Sequence, residues 1–316
     1  MSKRKKKARA WKTWKARAWK PVRMAVFFLG IGLVTGAGLA LFFVDRPATP
    51  KIAAVTAKLA DTTDTASKKT KPRPQWVREA VLEPAIKGRP MIAIILDDLG
   101  MSRARTTDAI KLSAPLTLAF LPYANGLWEQ TAAARAAGHE LLIHVPMEPQ
   151  GKNGDPGPHA LMVHMTQDEI LENLSWDFDR FEHYVGINNH MGSKFTKDPD
   201  RLAMVFRELK ARGLLFIDSR TTADTVAKKL AQEIGVPFAE RQVFLDNFRS
   251  AENVRERLEK LESIARRDGA AIGIGHPHKV TLAALREWLP TLLEKGFVLV
   301  PASTVVRRQL KDAAGR

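Results

Sequence analysis

The chain has 316 residues, 45% of them hydrophobic, no cysteine and a formal charge of +16 at neutral pH. The absence of cysteine rules out a thiolate nucleophile, a disulfide framework and cysteine-ligated zinc. The charge would suit a nucleic-acid binder, but residues 1–44 hold eleven Lys or Arg and no acid, which leaves 39 basic against 34 acidic residues elsewhere, an ordinary globular balance. Nucleic acid is therefore not the expected partner.

Residues 1–23 form a basic tail in which Trp11, Trp14 and Trp19 stand among lysines and arginines, a composition suited to anionic membrane lipid. Residues 24–44 are 21 consecutive uncharged positions, long enough to cross a hydrocarbon core of about 30 Å. Basic residues on the N-terminal flank and Asp45 on the other orient the tail to the cytoplasm. The expectation is a single-pass anchor in a bacterial inner membrane with the C-terminal bulk in the periplasm. A cleaved signal peptide is the alternative, although 21 residues exceed the usual apolar region of about 7–15. Residues 45–88, rich in Thr, Pro and charge, read as a flexible linker. A short helix is expected from Trp76 to Ile86, docked on the edge of a domain that spans 89–306 and is followed by a tail at 307–316.

From Met91 onward apolar runs of strand length alternate with helical patterns. The runs predict strands at 92–96, 116–121, 140–145, 186–189, 214–218, 242–245, 270–275 and 297–301. Helices are expected at 127–137, at 170–181 behind a Thr166–Glu169 capping box, and at 199–212 between Asp198-Pro199 and Gly213. Two more are expected at 251–267 and 281–295. Strand–helix–strand spacing implies parallel pairing, hence an α/β fold of seven or eight mostly parallel strands. A closed or nearly closed β/α barrel fits, with an open doubly wound sheet as the alternative, and either gathers strand C-termini on one face.

The chemistry sits at those strand ends. The first strand terminates in Asp97-Asp98-Leu99-Gly100, and burying two carboxylates is costly unless a metal or a proton is shared there. Later ends supply His144, Glu148, His190, Asp218, His276 and His278. His139, His159, His164 and His183 stand in contexts that read as structural. With cysteine absent, imidazole and carboxylate are the ligands for Zn²⁺ or a similar divalent ion. Of two adjacent carboxylates, one can bind the ion while its neighbour acts as base.

The segments Asp97-Asp98-Leu99-Gly100, Gly138-His139-Glu140 through His144, His144-Val145-Pro146-Met147-Glu148-Pro149, Asn189-His190-Met191-Gly192-Ser193, Asp218-Ser219-Arg220-Thr221 and Gly275-His276-Pro277 together resemble the divergent polysaccharide deacetylases, a branch of the NodB-homology or carbohydrate esterase family 4 group. The resemblance covers about residues 90–305 and implies a deformed β/α barrel and metal-dependent N- or O-deacetylation of a cell-wall polysaccharide or another acetylated glycan. By position it implies that Asp97 is the base, Asp98 and His144 are metal ligands, and His276 is the acid. The family has a second histidine where this chain has Glu148, so either His190 completes the metal site or Glu148 does. Otherwise Glu148 orients a ligand or substrate. Arg220 is placed to substitute for the family's arginine, and Asp218 and His278 are the further candidates for substrate binding. The rival reading is a catalytically weak glycan-binding scaffold working with envelope or division proteins.

Overall fold

A computed structural model describes residues 73–82, 84–85, 87–151 and 154–315. Nine strands form one parallel sheet: β1 (Met91–Leu99), β2 (Thr117–Phe120), β3 (Glu140–Met147), β4 (Tyr184–Met191), β5 (Leu215–Asp218), β6 (Phe238–Glu240), β7 (Val243–Phe244), β8 (Ala270–Gly275) and β9 (Val298–Leu299). Their order is β6-β5-β4-β3-β2-β1-β8-β7, with β9 added against β1. No reversal of winding interrupts this path, which sets it apart from a doubly wound sheet. Strands β6 and β7 end the path on opposite sides, yet only Arg241 and Gln242 separate them. Three Cα steps cover at most about 11 Å, so the sheet curls, as a half-barrel, until its two edges approach. The hand-over falls between consecutive residues. Arg241 N–H donates to Asp218 on the β5 side at 3.0 Å, and Gln242 N–H donates to Ile272 on the β8 side, also at 3.0 Å.

Side chains alternate across the sheet because strands repeat every two residues. One face carries Ile94, Leu96, Ile143 and Phe216. It packs beneath α4 (Gln167–Phe178), α5 (Pro199–Arg212) and α7 (Ala251–Asp268), which contribute Ile170, Leu174, Phe206 and Leu261. The inner face carries Ile95, Leu142, Ile217, Ala239 and Ile274, and is filled at one end by Val305 and Val306 of α9 (Ala302–Ala314) and by Trp76 of α1 (Gln75–Glu79). Helix α9 has no side-chain cap of its own. Instead buried Glu140 of β3 accepts from Ser303 N–H at 3.1 Å and from Thr117 Oγ1 at 3.0 Å, while Thr117 Oγ1 accepts from Ala302 N–H. A carboxylate borrowed from the sheet thus satisfies helix donors that would otherwise be orphaned.

All eight predicted strands form, and the ninth, β6, is additional because three residues carry no periodicity. Helices α2 (Arg103–Ile110), α6 (Ala227–Ile234) and α9 are also additional to the expectation. The helix expected at 281–295 is instead α8 (Lys279–Trp288) followed by a 3₁₀ turn at Leu289–Thr291, where Pro290 interrupts the α-helical hydrogen bonds. The Thr166–Glu169 capping box and the Gly213 cap form as predicted. Residues 307–314, expected as a tail, complete α9, whose buried valines need a helix to reach the core. The short helix near Trp76 ends at Glu79, where it lies within the expected linker and is tied to the domain by Trp76 N–H donating to Gly213. Among the described residues no helix is long and apolar enough to cross a membrane. The span expected at 24–44 lies outside them.

Candidate active site

Two residues beyond the inner core on five of the strands, the lining turns polar. Ile95 gives way to Asp97, Leu142 to His144, Ile217 to Ser219, Ala239 to Arg241 and Ile274 to His276. Period-two geometry therefore aims these groups into one space. Asp98 should point the opposite way, and a bulge brings it back. Leu96 pairs with Leu118 and Leu99 with Phe120, three steps on β1 against two on β2, and Asp98 takes a left-handed backbone at φ 57°. One extra residue re-aims a side chain, and aspartate is among the residues that tolerate this conformation. Gly100 follows at φ 100°, where a Cβ would lie 2.6 Å from that of Ala124.

Asp98 Oδ1 lies 3.0 Å from His190 Nδ1 and 3.4 Å from His144 Nε2, and those two nitrogens are 3.2 Å apart. The tautomer of His144 is fixed from behind. Asn188 Nδ2 donates to Asp97 Oδ1 at 2.8 Å, so Asn188 Oδ1 faces His144 Nδ1 at 2.9 Å and takes its proton in a hydrogen bond. Nε2 is left with a lone pair directed at Asp98 and His190. Asp98 Oδ1 is buried and has no directed hydrogen bond from any described residue. Ligand atoms this close can share one cation, since a tetrahedral site with bonds of about 2.0–2.1 Å separates its ligands by about 3.3 Å. The donor set fits a divalent metal. Burial raises the pKa of Asp98, but the facing His144 and His190 outweigh it and hold the carboxyl well below the ordinary range. Asp97 is fully buried, and its pKa is raised by burial against the pull of His144 and His276.

On the other oxygen of Asp98, His276 Nε2 stands 3.7 Å away. Its Nδ1 is held at 3.0 Å by Asp246 Oδ1, while Asp246 Oδ2 accepts from His276 N–H and Thr281 Oγ1. Burial alone would lower the His276 pKa, yet Asp246, helped by Asp97 and Asp98, raises it to about 9, so the ring carries a proton at neutral pH. Asp246, His276 and His278 also converge, but the oxygens of Asp246 are already engaged, which favours the Asp98 trio as the metal group. The trio opens into a cleft of about 240 Å³ lined by His276, His278 and Tyr123 among others. Burial, with Asp98 and Asp155, pushes the Tyr123 phenol up to about 12 and keeps it a donor. The Gly/Pro-rich loop after β3 walls this side, since Gly157 lies so close to Tyr123 that a Cβ would come 2.8 Å from its ring.

Asp97, Asp98, His144, His190, His276 and His278 are thus brought together. The other predicted residues are placed elsewhere. Glu148 receives Lys194 Nζ at 2.6 Å and Val163 N–H at 2.7 Å, so both oxygens pin the loop and neither reaches the trio. Asp218 shares the outward face with Phe216 and accepts from Arg220 N–H and Thr225 Oγ1, closing its own turn. Arg220 pairs with Glu240 at 2.7 Å. The arginine whose charge bears on Asp97 is Arg241, at the β6–β7 hand-over, held by the carbonyls of Ser219 and Arg220. Arg241, Asn188, Asp246 and Tyr123 are not singled out by the sequence reading. Asn188 was legible in principle, standing two residues before His190 on the same strand face. His139 is structural, bridging Leu116 N–H and Ile110 O.

The divergent polysaccharide deacetylase family model matches residues 94–306. The chain is 32% identical over 235 residues to the uncharacterized protein YibQ of Escherichia coli strain K12, covering 74% of this chain and 72% of that protein. An uncharacterized protein of Haemophilus influenzae Rd is 32% identical over 205 residues, or 64% and 72% of the two chains. Among solved structures, the uncharacterized protein ATU2773 of Agrobacterium tumefaciens C58 superposes with a TM-score of 0.71 at 29% identity, covering 73% of this chain and 95% of that one. The chain belongs to the divergent polysaccharide deacetylase family.

Proposed function

We propose that the protein is a zinc-dependent deacetylase that hydrolyses N- or O-acetyl groups on a cell-envelope glycan, displayed on the periplasmic side of a bacterial inner membrane by residues 24–44. The observation that carries the reading is the trio Asp98 Oδ1, His144 Nε2 and His190 Nδ1 at 3.0–3.4 Å from one another, flanked by Asp97 and a protonated His276. A divalent ion held there would lower the pKa of a bound water and polarise the acyl carbonyl. Asp97, oriented by Asn188 and facing the charge of Arg241, takes the proton of the attacking water. His276, kept cationic by Asp246, gives its proton to the departing sugar nitrogen or oxygen. The Tyr123 phenol donates to the substrate from the cleft wall.

Elemental analysis of the full-length chain in detergent, paired with acetate release from acetylated chito- and xylo-oligosaccharides, tests this. Near-stoichiometric zinc and acetate release are expected, both lost in His144→Ala. A wild-type protein that takes up no zinc when it is supplied would overturn the reading in favour of a glycan-binding scaffold in envelope assembly or division. Protease digestion of intact spheroplasts is expected to remove the domain, and protection from it would refute the periplasmic placement.

A further inference from the structure

The charges around the cleft exceed what the hydrolytic machinery uses. None of its steps uses a side chain of α2. Arg105 nonetheless lines the cleft beside His276 and His278, within the same 240 Å³ space as Asp98. Arg105 is exposed, extends from the first turn of α2, and makes no ion pair with any described residue. Arg249, equally exposed and equally without an ion pair among the described residues, stands near enough to act on the same histidine. His278 lines the same cleft as Arg105 and offers a hydrogen-bonding ring there. The Arg105 guanidinium, exposed and without an ion pair among the described residues, is free to take an anion, and its planar fork matches carboxylate or phosphate oxygens. The cleft is smaller than the cavities of about 300–1,000 Å³ that hold drug-sized ligands, a size suited to one sugar unit. An anionic group at Arg105 therefore belongs to the acetylated sugar or its immediate neighbour.

We propose that Arg105, with His278 in the same cleft and Arg249 close by, forms an anion subsite that selects acidic glycans, in which a carboxylate or phosphate lies on or next to the sugar bearing the acetyl group. This deepens the deacetylase reading and rests on it only for the identity of the reacting group.

The test uses zinc-saturated full-length protein and three matched acetylated disaccharides: N-acetylglucosamine linked to glucuronic acid, the methyl ester of that compound, and an N-acetylglucosamine disaccharide carrying a 6-phosphate. Calorimetry measures binding, and acetate release is followed in parallel. The uronate is expected to bind about tenfold or more tightly than its methyl ester, as suits a charge-assisted pair. Raising the salt narrows that ratio. The ratio falls toward one in Arg105→Gln and in the Arg105→Gln/Arg249→Gln double variant, and is partly kept in Arg105→Lys, all with unchanged thermal unfolding. If the phosphate compound outbinds the uronate, the subsite's anion is a phosphate. A wild-type ratio near one, or a ratio that survives the double variant, overturns the proposal even when acetate is released. Discrimination in binding without acetate release from any compound would leave the subsite standing and remove the deacetylase reading.

Discussion

Asp246 and Asp177 are two buried aspartates with opposite energetics. Asp246 receives three hydrogen bonds and holds His276 with its pKa raised from 6.5 to about 9. A histidine whose folded pKa is raised contributes stability that is complete below its unfolded value and is lost as the pH rises through the folded one. Asp246→Asn is therefore expected to destabilise the fold at pH 6 and to converge on wild type above about pH 9, read from urea unfolding at several pH values. Histidine NMR titration should show the His276 pKa moving down in that variant. Asp177 of α4 is the reverse case. Both its carboxylate oxygens are buried with no hydrogen-bond partner among the described residues, and burial raises its pKa well above 3.8 despite Arg180 nearby. A raised carboxyl pKa costs nothing while both states are protonated, and costs progressively more as the pH rises above the unfolded value. Asp177→Asn is expected to stabilise the protein by about 1–3 kcal/mol at pH 7, with the gain vanishing near pH 4. A variant no more stable than wild type at pH 7 would mean that the carboxylate has a partner in solution.

Element by element, short pieces of backbone decide where the chemistry lands. The bulge in β1 turns two adjacent carboxylates toward one histidine, and Gly100 closes it in a conformation that side chains rarely adopt. Gly100→Ala forces both an unfavourable φ and a 2.6 Å contact with Ala124. A loss of about 1–3 kcal/mol in denaturant unfolding is expected, together with weaker zinc uptake, because Asp98 is two residues away. Full metal occupancy at wild-type stability would show that the bulge does not depend on this glycine. The Gly138-His139-Glu140 segment illustrates a different division of labour. Its histidine ties α2 to β2, its glutamate caps α9, and the chemistry begins only at His144.

Across the whole molecule, the curl of the sheet makes the site. Strand β1 brings Asp97 and Asp98, β3 His144, β4 Asn188 and His190, and the ends of β7 and β8 are followed by Asp246 and His276. These residues meet because the inner face is wound around a plug formed by α9 and Trp76. Truncation after Pro301 removes Val305 and Val306 from that plug and leaves Glu140 without its helix donors. Losing two buried valines costs about 1.5–3 kcal/mol each, and the stranded carboxylate adds to it. The truncated chain is expected to lose cooperative thermal unfolding and zinc uptake together. Retention of both would show that the half-barrel holds without its plug.

Local patterns were enough to place the eight principal strands, the helix caps at Thr166 and Gly213, and the metal-capable residues, because strand-length apolar runs, capping residues and strand-end His and Asp are short-range signals. The family resemblance was legible for the same reason, since the strand-end motifs follow one another in order along the chain. Which polar neighbours serve the site was settled by long-range packing. Asp218 and Ser219 are adjacent in sequence, yet only Ser219 continues the inward face and bonds Asn188, while Asp218 turns outward to hold its own loop. Glu148 and Arg220 have suitable chemistry but find nearer partners in Lys194 and Glu240. Arg241 and Asp246 gain their roles only when the sheet curls and carries the chain from one edge to the other, an event that no local pattern encodes.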